Sequence, residues 1–137
     1  MDTVITSPFS ISPADLLPRI GTADAPVLLD VRRDAAFEAS PQMIAGSQRC
    51  APQDVAAWAA ANEAQRGKTV VVYCVYGHNV SADACSQLRA LGFDGLALAG
   101  GIQGGEDGAD SLADIAAWRA VKLPVIAKAP QAKIIAS

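Results

Sequence analysis

Short apolar runs alternate with helical patterns along the chain. Two of these runs, residues 27–31 and 69–74, are rich in valine and leucine, as is typical of strands buried on both faces of a sheet. A third run, residues 93–99, leads to a pair of glycines. The alternation of strands and helices predicts an α/β fold with a parallel sheet, flanked by helices on both faces.

The helical patterns have separate start and stop signals. The first starts at Ser12, a preferred cap residue, and has a proline and an aspartate in its first turn. A helical turn over residues 34–39 and a short extended piece over residues 44–47 precede an alanine-rich helix that opens at Pro52. A helix over residues 81–91 follows the second apolar run, and a last helix is predicted to run through Trp118.

Length and charge limit the classes of function. The 137 residues fit one domain, and the net charge of −3 without any basic cluster argues against nucleic acid or an anionic membrane as a partner. No segment approaches the length of a membrane-spanning helix, and the first ten residues lack the features of a signal peptide. A cytoplasmic location is therefore expected.

Three cysteines, Cys50, Cys74 and Cys85, are spaced unlike the ligands of a zinc site, and the chain has a single histidine. An odd number of cysteines suits free thiols in a reducing compartment. We therefore expect neither a metal nor another cofactor.

Cys74 has the sequence context of a reactive thiol. It ends the apolar run of residues 69–74, Gly77 permits a tight turn three residues later, and a helix follows. Ligand sites of open α/β sheets lie at such strand ends, and loop amides and a helix N-terminus can stabilise a thiolate or a persulfide there. The alternative is a buried structural thiol, since free cysteine is often buried, but the strand-to-loop junction favours a nucleophile.

The other two cysteines have weaker signals. Cys85 shares helical spacing with Leu88, which predicts core packing, with a resolving cysteine as the alternative. Cys50 lies in a turn and could be exposed, but no neighbouring residue would activate it. The glycine-rich stretch of residues 100–105 is not a dinucleotide fingerprint, because no βαβ unit with a later acidic residue follows it.

Several short motifs occur in the order seen in one family. The chain resembles the single-domain rhodanese-like sulfurtransferases over residues 10–126, and residues 1–9 and 127–137 would then be terminal extensions. The resemblance implies a five-stranded parallel sheet. It rests on Leu29-Asp30-Val31-Arg32, Phe37, Ile44-Ala45-Gly46-Ser47, the strand, cysteine, loop and helix of residues 69–91, Leu98-Ala99-Gly100-Gly101-Ile102, Trp118 and Leu123-Pro124-Val125.

The resemblance also implies a chemistry. Cys74 would attack thiosulfate, a polysulfide or a thiol persulfide, hold the sulfur as a persulfide, and pass it to a thiol, cyanide or a protein acceptor. Asp30 and Arg32 would support the loop from a neighbouring strand end, unless they form only an ordinary ion pair. The substrate-binding cradle would consist of Val75, Tyr76, Gly77, His78, Asn79 and Val80, with Ser81 beginning the helix beneath it.

Two cradle residues have competing interpretations. His78 titrates near neutrality, so that it could assist proton transfer or donate to a substrate, whereas many loop histidines are only solvated. For Asn79, a local hydrogen bond at the loop or the helix start is a simpler interpretation than a contact with a ligand.

The loop departs from the family pattern in length and charge. Six residues separate Cys74 from Ser81, one more than in the common sulfurtransferase loop, and Val80 stands where related phosphatases and arsenate reductases have an arginine. Without that cation a phosphoryl group would lose much of its charge stabilisation. The uncharged loop leads to the hypothesis of a less charged donor, such as a persulfide, with Tyr76 and His78 facing the pocket. A non-catalytic binding or sulfur-sensing module is the main alternative, followed by a phosphatase or arsenate-reductase relative.

Overall fold

The computed structural model describes residues 9–20, 22–23, 25–40, 42–74, 79–99, 101–102, 121 and 123–127. The predicted helix through Trp118, most of the glycine-rich stretch and the segment from residue 128 onwards lie outside the described residues. Among the described helices, none is long and apolar enough to cross a membrane.

Five parallel strands form the central sheet, which confirms the predicted α/β fold. The strands are β1 (Ser10–Ile11), β2 (Val27–Asp30), β3 (Gln42–Ile44), β4 (Gln48–Arg49), β5 (Thr69–Tyr73), β6 (Asp94–Leu98) and β7 (Val125–Ala127). The order across the central sheet is β1, β6, β5, β2, β4, and a separate antiparallel pair joins β3 to β7.

The helices begin close to their predicted signals. The Ser12 side chain caps the first helix by accepting a hydrogen bond from the Asp15 N–H at 3.1 Å. The third helix is flanked by two 3₁₀ turns, Pro52–Asp54 and Glu63–Gln65. The helices are α1 (Pro13–Leu16), continued by a 3₁₀ turn (Leu17–Arg19), α2 (Asp34–Ala39), α3 (Val55–Ala61) and α4 (Asn79–Ala90).

Apolar side chains cover both faces of the sheet because successive residues of a buried strand point to opposite sides. On one face, α3 and α4 pack on Val70 and Val72 of β5. On the other face, α1 packs on Val71 and Leu98 through Leu16, which is fully buried.

Three short strands, β1, β4 and β7, were not predicted, and β3 was predicted only in part. The predicted extended piece of residues 44–47 is in fact the end of β3 followed by a turn, in which Gly46 has a φ of 83°. Strand β1 was missed, and so was β7, which pairs with β3 where only the end of the domain was expected. Strands of two or three residues are too short to show a period in the sequence, and their pairing partners are distant along the chain.

Candidate active site

The candidate site lies between the carboxyl ends of β2 and β5, which are neighbours in the sheet. From β2 the chain moves outward to β4, and from β5 it moves outward to β6 on the other side. The chain thus leaves two adjacent strands in opposite directions, which defines a topological switch point and leaves a crevice for a ligand. Cys74 is the first residue after β5 and borders this crevice.

Cys74 is held from both sides. Its side chain lies on the sheet face that α4 covers, because Tyr73 before it packs into the opposite face. The thiol lies 3.3 Å from the Ser81 hydroxyl and donates to it, and both residues are buried. The Cys74 carbonyl accepts a hydrogen bond from the Ile102 N–H at 3.0 Å. Cys74 therefore has a fixed position with one hydroxyl beside its sulfur.

Helix α4 begins at Asn79, two residues before the predicted start at Ser81. Ser81 thus lies within the first turn of the helix, where its hydroxyl can reach back to the strand end. Val80 is partly buried and packs against the core beneath α4. An apolar side chain therefore occupies the position that was compared with the phosphatase arginine. The remaining predicted cradle residues, Val75, Tyr76, Gly77 and His78, lie outside the described residues, as does the Asn79 side chain.

Asp30 and Arg32 form a buried bidentate ion pair. The Arg32 Nε lies 3.0 and 3.1 Å from the two carboxylate oxygens of Asp30, and Nη2 lies 2.6 Å from Oδ2. Exposure is 0% for Asp30 and 1% for Arg32, so that each charge is compensated by the other and not by water. Nη2 also donates to the Gln42 carbonyl at 2.9 Å, which ties the end of β2 to β3.

Tyr73 is the residue of this region that the sequence analysis missed. Its hydroxyl donates to Asp30 Oδ2 at 3.1 Å, accepts from the Ile44 N–H at 3.1 Å, and lies 2.9 Å from the Ser47 hydroxyl. Burial, and to a smaller extent the Asp30 charge, raises the pKa of Tyr73. A polar aromatic residue at the end of a valine run was the available signal, because a buried tyrosine hydroxyl requires partners.

Cys50 and Cys85 are both buried. The option of an exposed Cys50 is wrong: the residue is 5% exposed and belongs to the core next to Val31. Burial is the main reason why the pKa of Cys50 is raised, the Asp54 charge adds to it, and Arg49 partly opposes it. Cys85 has no exposed surface and packs with Leu88, as predicted.

An open groove of about 490 Å³ lies on the β4 side of the site. It is lined by Asp34, Arg49, Cys50, Ala51, Asp54, Ala57 and Trp58. In the described part of the chain, no three histidine, cysteine or acidic side chains are grouped so that they could hold a metal ion.

Comparison with known proteins identifies relatives of this fold. Residues 12–107 match the model of the Rhodanese-like domain family. A rhodanese-related protein from Thermoplasma volcanium is 30% identical, with 88% of this chain and 99% of that chain covered and a TM-score of 0.63. A full-length protein from Lactobacillus plantarum is 26% identical, with 88% of each chain covered and a TM-score of 0.66.

A more distant structure shares the fold alone. It is a protein of unknown function from Rhodopseudomonas palustris, described as a possible tyrosine phosphatase. It is 24% identical, with 89% of this chain and 85% of that chain covered and a TM-score of 0.61. No curated protein matches the chain.

Proposed function

Because the chain belongs to the Rhodanese-like domain family, we propose that it is a sulfurtransferase that carries sulfane sulfur on Cys74. The observation that supports this most directly is the position of that thiol at the switch point, 3.3 Å from the Ser81 hydroxyl. The core thiols of Cys50 and Cys85 each donate to a backbone carbonyl at 3.7 Å, which cannot donate in return, whereas the Ser81 hydroxyl can also donate to a Cys74 thiolate.

The proposed reaction has two displacement steps. The Cys74 thiolate attacks the outer sulfur of a donor persulfide, the sulfur–sulfur bond of the donor breaks, and the donor leaves as a thiolate. An acceptor thiolate or cyanide then attacks the outer sulfur of the Cys74 persulfide, which regenerates the Cys74 thiolate and yields an acceptor persulfide or thiocyanate. No external oxidant or reductant is required, since one sulfur–sulfur bond breaks for each new sulfur bond formed.

Ser81 has a direct part in this cycle. Its hydroxyl accepts a hydrogen bond from the neutral thiol, and by rotating it can donate to the thiolate or to the inner sulfur of the persulfide. A hydrogen bond to an anion in a buried setting is stronger than one between neutral groups. Ser81 would therefore favour the anionic forms on which both steps depend.

The donor that fits best has little charge at its reacting end. The loop segment of residues 75–80 contains no lysine or arginine, so that His78 is its one basic side chain. A thiol persulfide or polysulfide presents a single charge at its terminal sulfur, whereas thiosulfate brings a compact dianion. We expect a lower KM for persulfides than for thiosulfate, and a thiosulfate KM below those of all persulfides would contradict this preference.

Phosphoryl chemistry has less support. Val80 packs against apolar residues at the position where a phosphatase would have its arginine, and the likeness to a possible tyrosine phosphatase concerns the fold alone. Without a bidentate cation, a phosphoryl transition state loses much of its charge stabilisation. The second candidate function is a non-catalytic module that binds a partner or senses reactive sulfur.

Intact-protein mass spectrometry tests the proposal. The protein is incubated with thiosulfate and, separately, with glutathione persulfide, and its mass is measured before and after addition of cyanide. We expect a gain of one sulfur atom that cyanide removes, because cyanide accepts sulfane sulfur. Cys74→Ser should show no gain, whereas Cys50→Ala should retain it, since Cys50 is a buried core thiol.

Each outcome separates the two candidate functions. A cyanide-labile adduct that depends on Cys74 and turns over with an acceptor supports the enzyme. An adduct that forms but is never released to any acceptor supports a sulfur-sensing module. The absence of an adduct with either donor supports a binding module.

A further inference from the structure

The positive charge at the mouth of the crevice comes from outside the predicted cradle. Of the cationic residues that the structure describes, four lie at the amino edge of the sheet, away from Cys74, and three lie at or just after the carboxyl ends of strands. The four are Arg19, Arg66, Lys68 and Arg89, and the three are Arg32, Arg33 and Arg49.

Two of the three arginines near the site already bind other groups of the protein. Arg32 is 1% exposed and bound to Asp30 and the Gln42 carbonyl. Arg49 donates to the carbonyls of Asp30 and Arg32 at 3.0 and 2.6 Å and to Asp34 at 2.8 Å, and it stacks on the Phe37 ring at 4.3 Å. Neither guanidinium is free to bind a ligand.

Arg33 differs from both. Its side chain is exposed and forms no ion pair or side-chain hydrogen bond with the rest of the described protein. The following Asp34 does not neutralise it, because that carboxylate accepts hydrogen bonds from Arg49 and, at 3.4 Å, from Gln53. Arg33 therefore retains a free charge and five free donors.

The strand register places Arg33 near Cys74. Val31 lies beside Cys74, because Asp30 pairs with Tyr73 and the Val31 N–H donates to the Tyr73 carbonyl at 2.9 Å. Arg33 is two residues beyond Val31, so their Cα atoms are at most about 7 Å apart. Neighbouring strands are about 4.8 Å apart, so the Cα atoms of Arg33 and Cys74 are separated by at most about 12 Å. A long arginine side chain and the donor molecule together can cover that distance.

We propose that Arg33 determines donor specificity by binding an anionic group that is remote from the transferred sulfur. The inference rests on the proposed sulfur transfer and extends it to a substrate class: thiol persulfides that carry a carboxylate. Cys74 would receive the sulfur end of such a donor, and Arg33, beyond the carboxyl end of the neighbouring strand, would pair with its carboxylate. Arg33 takes no part in bond making, and both displacement steps proceed as described above.

Alkylation of Cys74 provides a test that needs no sulfur donor. Iodoacetate and iodoacetamide share a reacting carbon and a leaving group but differ in charge, so that the ratio of their rates reports attraction of an anion to the site. Peptide mass mapping would follow Cys74 in the wild type, Arg33→Gln and Arg33→Lys, with Arg66→Gln as a control at the amino edge of the sheet.

We expect Arg33→Gln to lower the ratio of the iodoacetate rate to the iodoacetamide rate about five-fold at low salt, because one partly solvated charge interaction is lost. Arg33→Lys and Arg66→Gln should keep most of the wild-type ratio, and sodium chloride should bring the wild type toward Arg33→Gln. An unchanged ratio in Arg33→Gln would overturn the assignment of Arg33 as an anion-binding residue.

Steady-state kinetics with two matched donors tests the substrate class. With the persulfide of 3-mercaptopropionate, which has a carboxylate, Arg33→Gln should raise KM several-fold with kcat unchanged. With the neutral persulfide of 2-mercaptoethanol, neither constant should change. Equal effects on both donors would refute the specificity role, and absence of turnover in the wild type would refute the proposed sulfur transfer while leaving the alkylation result interpretable.

Discussion

At the level of single residues, Cys74, the proposed nucleophile, is separated from the bulk of the hydrophobic core. Cys74 follows the last residue of β5, and its sulfur contacts a hydroxyl rather than only apolar groups. Cys85 lies fully buried between the sheet and α4, where its thiol donates to the Phe9 carbonyl at 3.7 Å. The same substitution at the two positions should therefore have different effects on stability.

Cys74→Ser is expected to abolish sulfur loading and to change the free energy of unfolding by less than about 0.5 kcal/mol, because the new hydroxyl can still bond to Ser81. Cys85→Ser places a hydroxyl in the core, where the Phe9 carbonyl, 3.7 Å from the present sulfur, is too distant for an O–H hydrogen bond, and should cost about 1–3 kcal/mol while leaving sulfur loading intact. Urea unfolding and mass spectrometry measure the two effects. Loss of the fold in Cys74→Ser would indicate a structural thiol instead.

The buried Asp30–Arg32 pair should be far more sensitive to the loss of one partner than to the loss of both. Arg32→Met leaves an unpaired buried carboxylate and is expected to cost about 3–5 kcal/mol. The double variant Asp30→Asn with Arg32→Met should recover part of that loss, since no charge remains buried. Chemical denaturation of both variants measures the difference, and equal losses in the two would show that the charge is not the dominant factor.

Tyr73 should make stability fall at alkaline pH. Burial raises the pKa of Tyr73 in the folded protein, whereas an unfolded tyrosine ionises at about pH 10. Above that pH the unfolded chain loses the proton first, so the free energy of unfolding decreases as pH rises. Tyr73→Phe, although less stable at neutral pH, should show a weaker decrease between about pH 9 and pH 11 in urea titrations, and identical slopes would contradict this.

At the level of elements, local signals specify where helices start. Ser12 accepts a hydrogen bond from the Asp15 N–H at 3.1 Å, as its position before Pro13 predicted. Ser12→Ala is expected to lower the free energy of unfolding by about 1 kcal/mol, and Ser12→Asp should preserve most of it, because aspartate also caps helices. Thermal unfolding of both variants tests this, and equal losses would indicate that the cap contributes little.

The two-residue and three-residue strands depend on partners distant in sequence. Ser10 pairs with Ala97, and Gln48 pairs with Leu29. Such strands extend a sheet whose core strands are already specified, and their own residues show no clear period. This explains why β2, β5 and β6 were predicted within one residue of each end and why β1, β4 and β7 were not.

At the level of the whole molecule, β7 closes one side of the fold by pairing with β3. Strand β3 in turn provides the Gln42 carbonyl to Arg32 and the Ile44 N–H to Tyr73. Strand β7 is thus linked, through β3, to the cluster of Asp30, Arg32 and Tyr73 behind Cys74.

Removal of β7 should weaken both the fold and the site. A chain that ends at Pro124 is expected to be about 1–3 kcal/mol less stable than one that ends at Ala127, because β3 loses its ladder of hydrogen bonds. Hydrogen exchange should show reduced protection of the Ile44 amide in the shorter chain, because a less stable β3 weakens the hydrogen bond from that amide to the Tyr73 hydroxyl. Equal stability of the two truncated chains would mean that β7 does not support β3.

The sequence by itself determined the α/β class, the main strands and helices, and the position of Cys74 before a helix. These features follow from the residue pattern within short windows, where the period of apolar positions and cap residues act locally. Membership of the family also rests on short motifs, since their order along the chain is visible without coordinates.

Only the tertiary structure decided which side chains meet. The Asp30–Arg32–Tyr73 cluster, the burial of Cys50 and the free charge of Arg33 depend on segments that are brought together by strand pairing. A hydrogen bond across 43 residues, such as that from Tyr73 to Asp30, has no signature in either local segment. Register between strands, and not local propensity, sets these contacts, because a shift of one residue would move every side chain to the opposite face of the sheet.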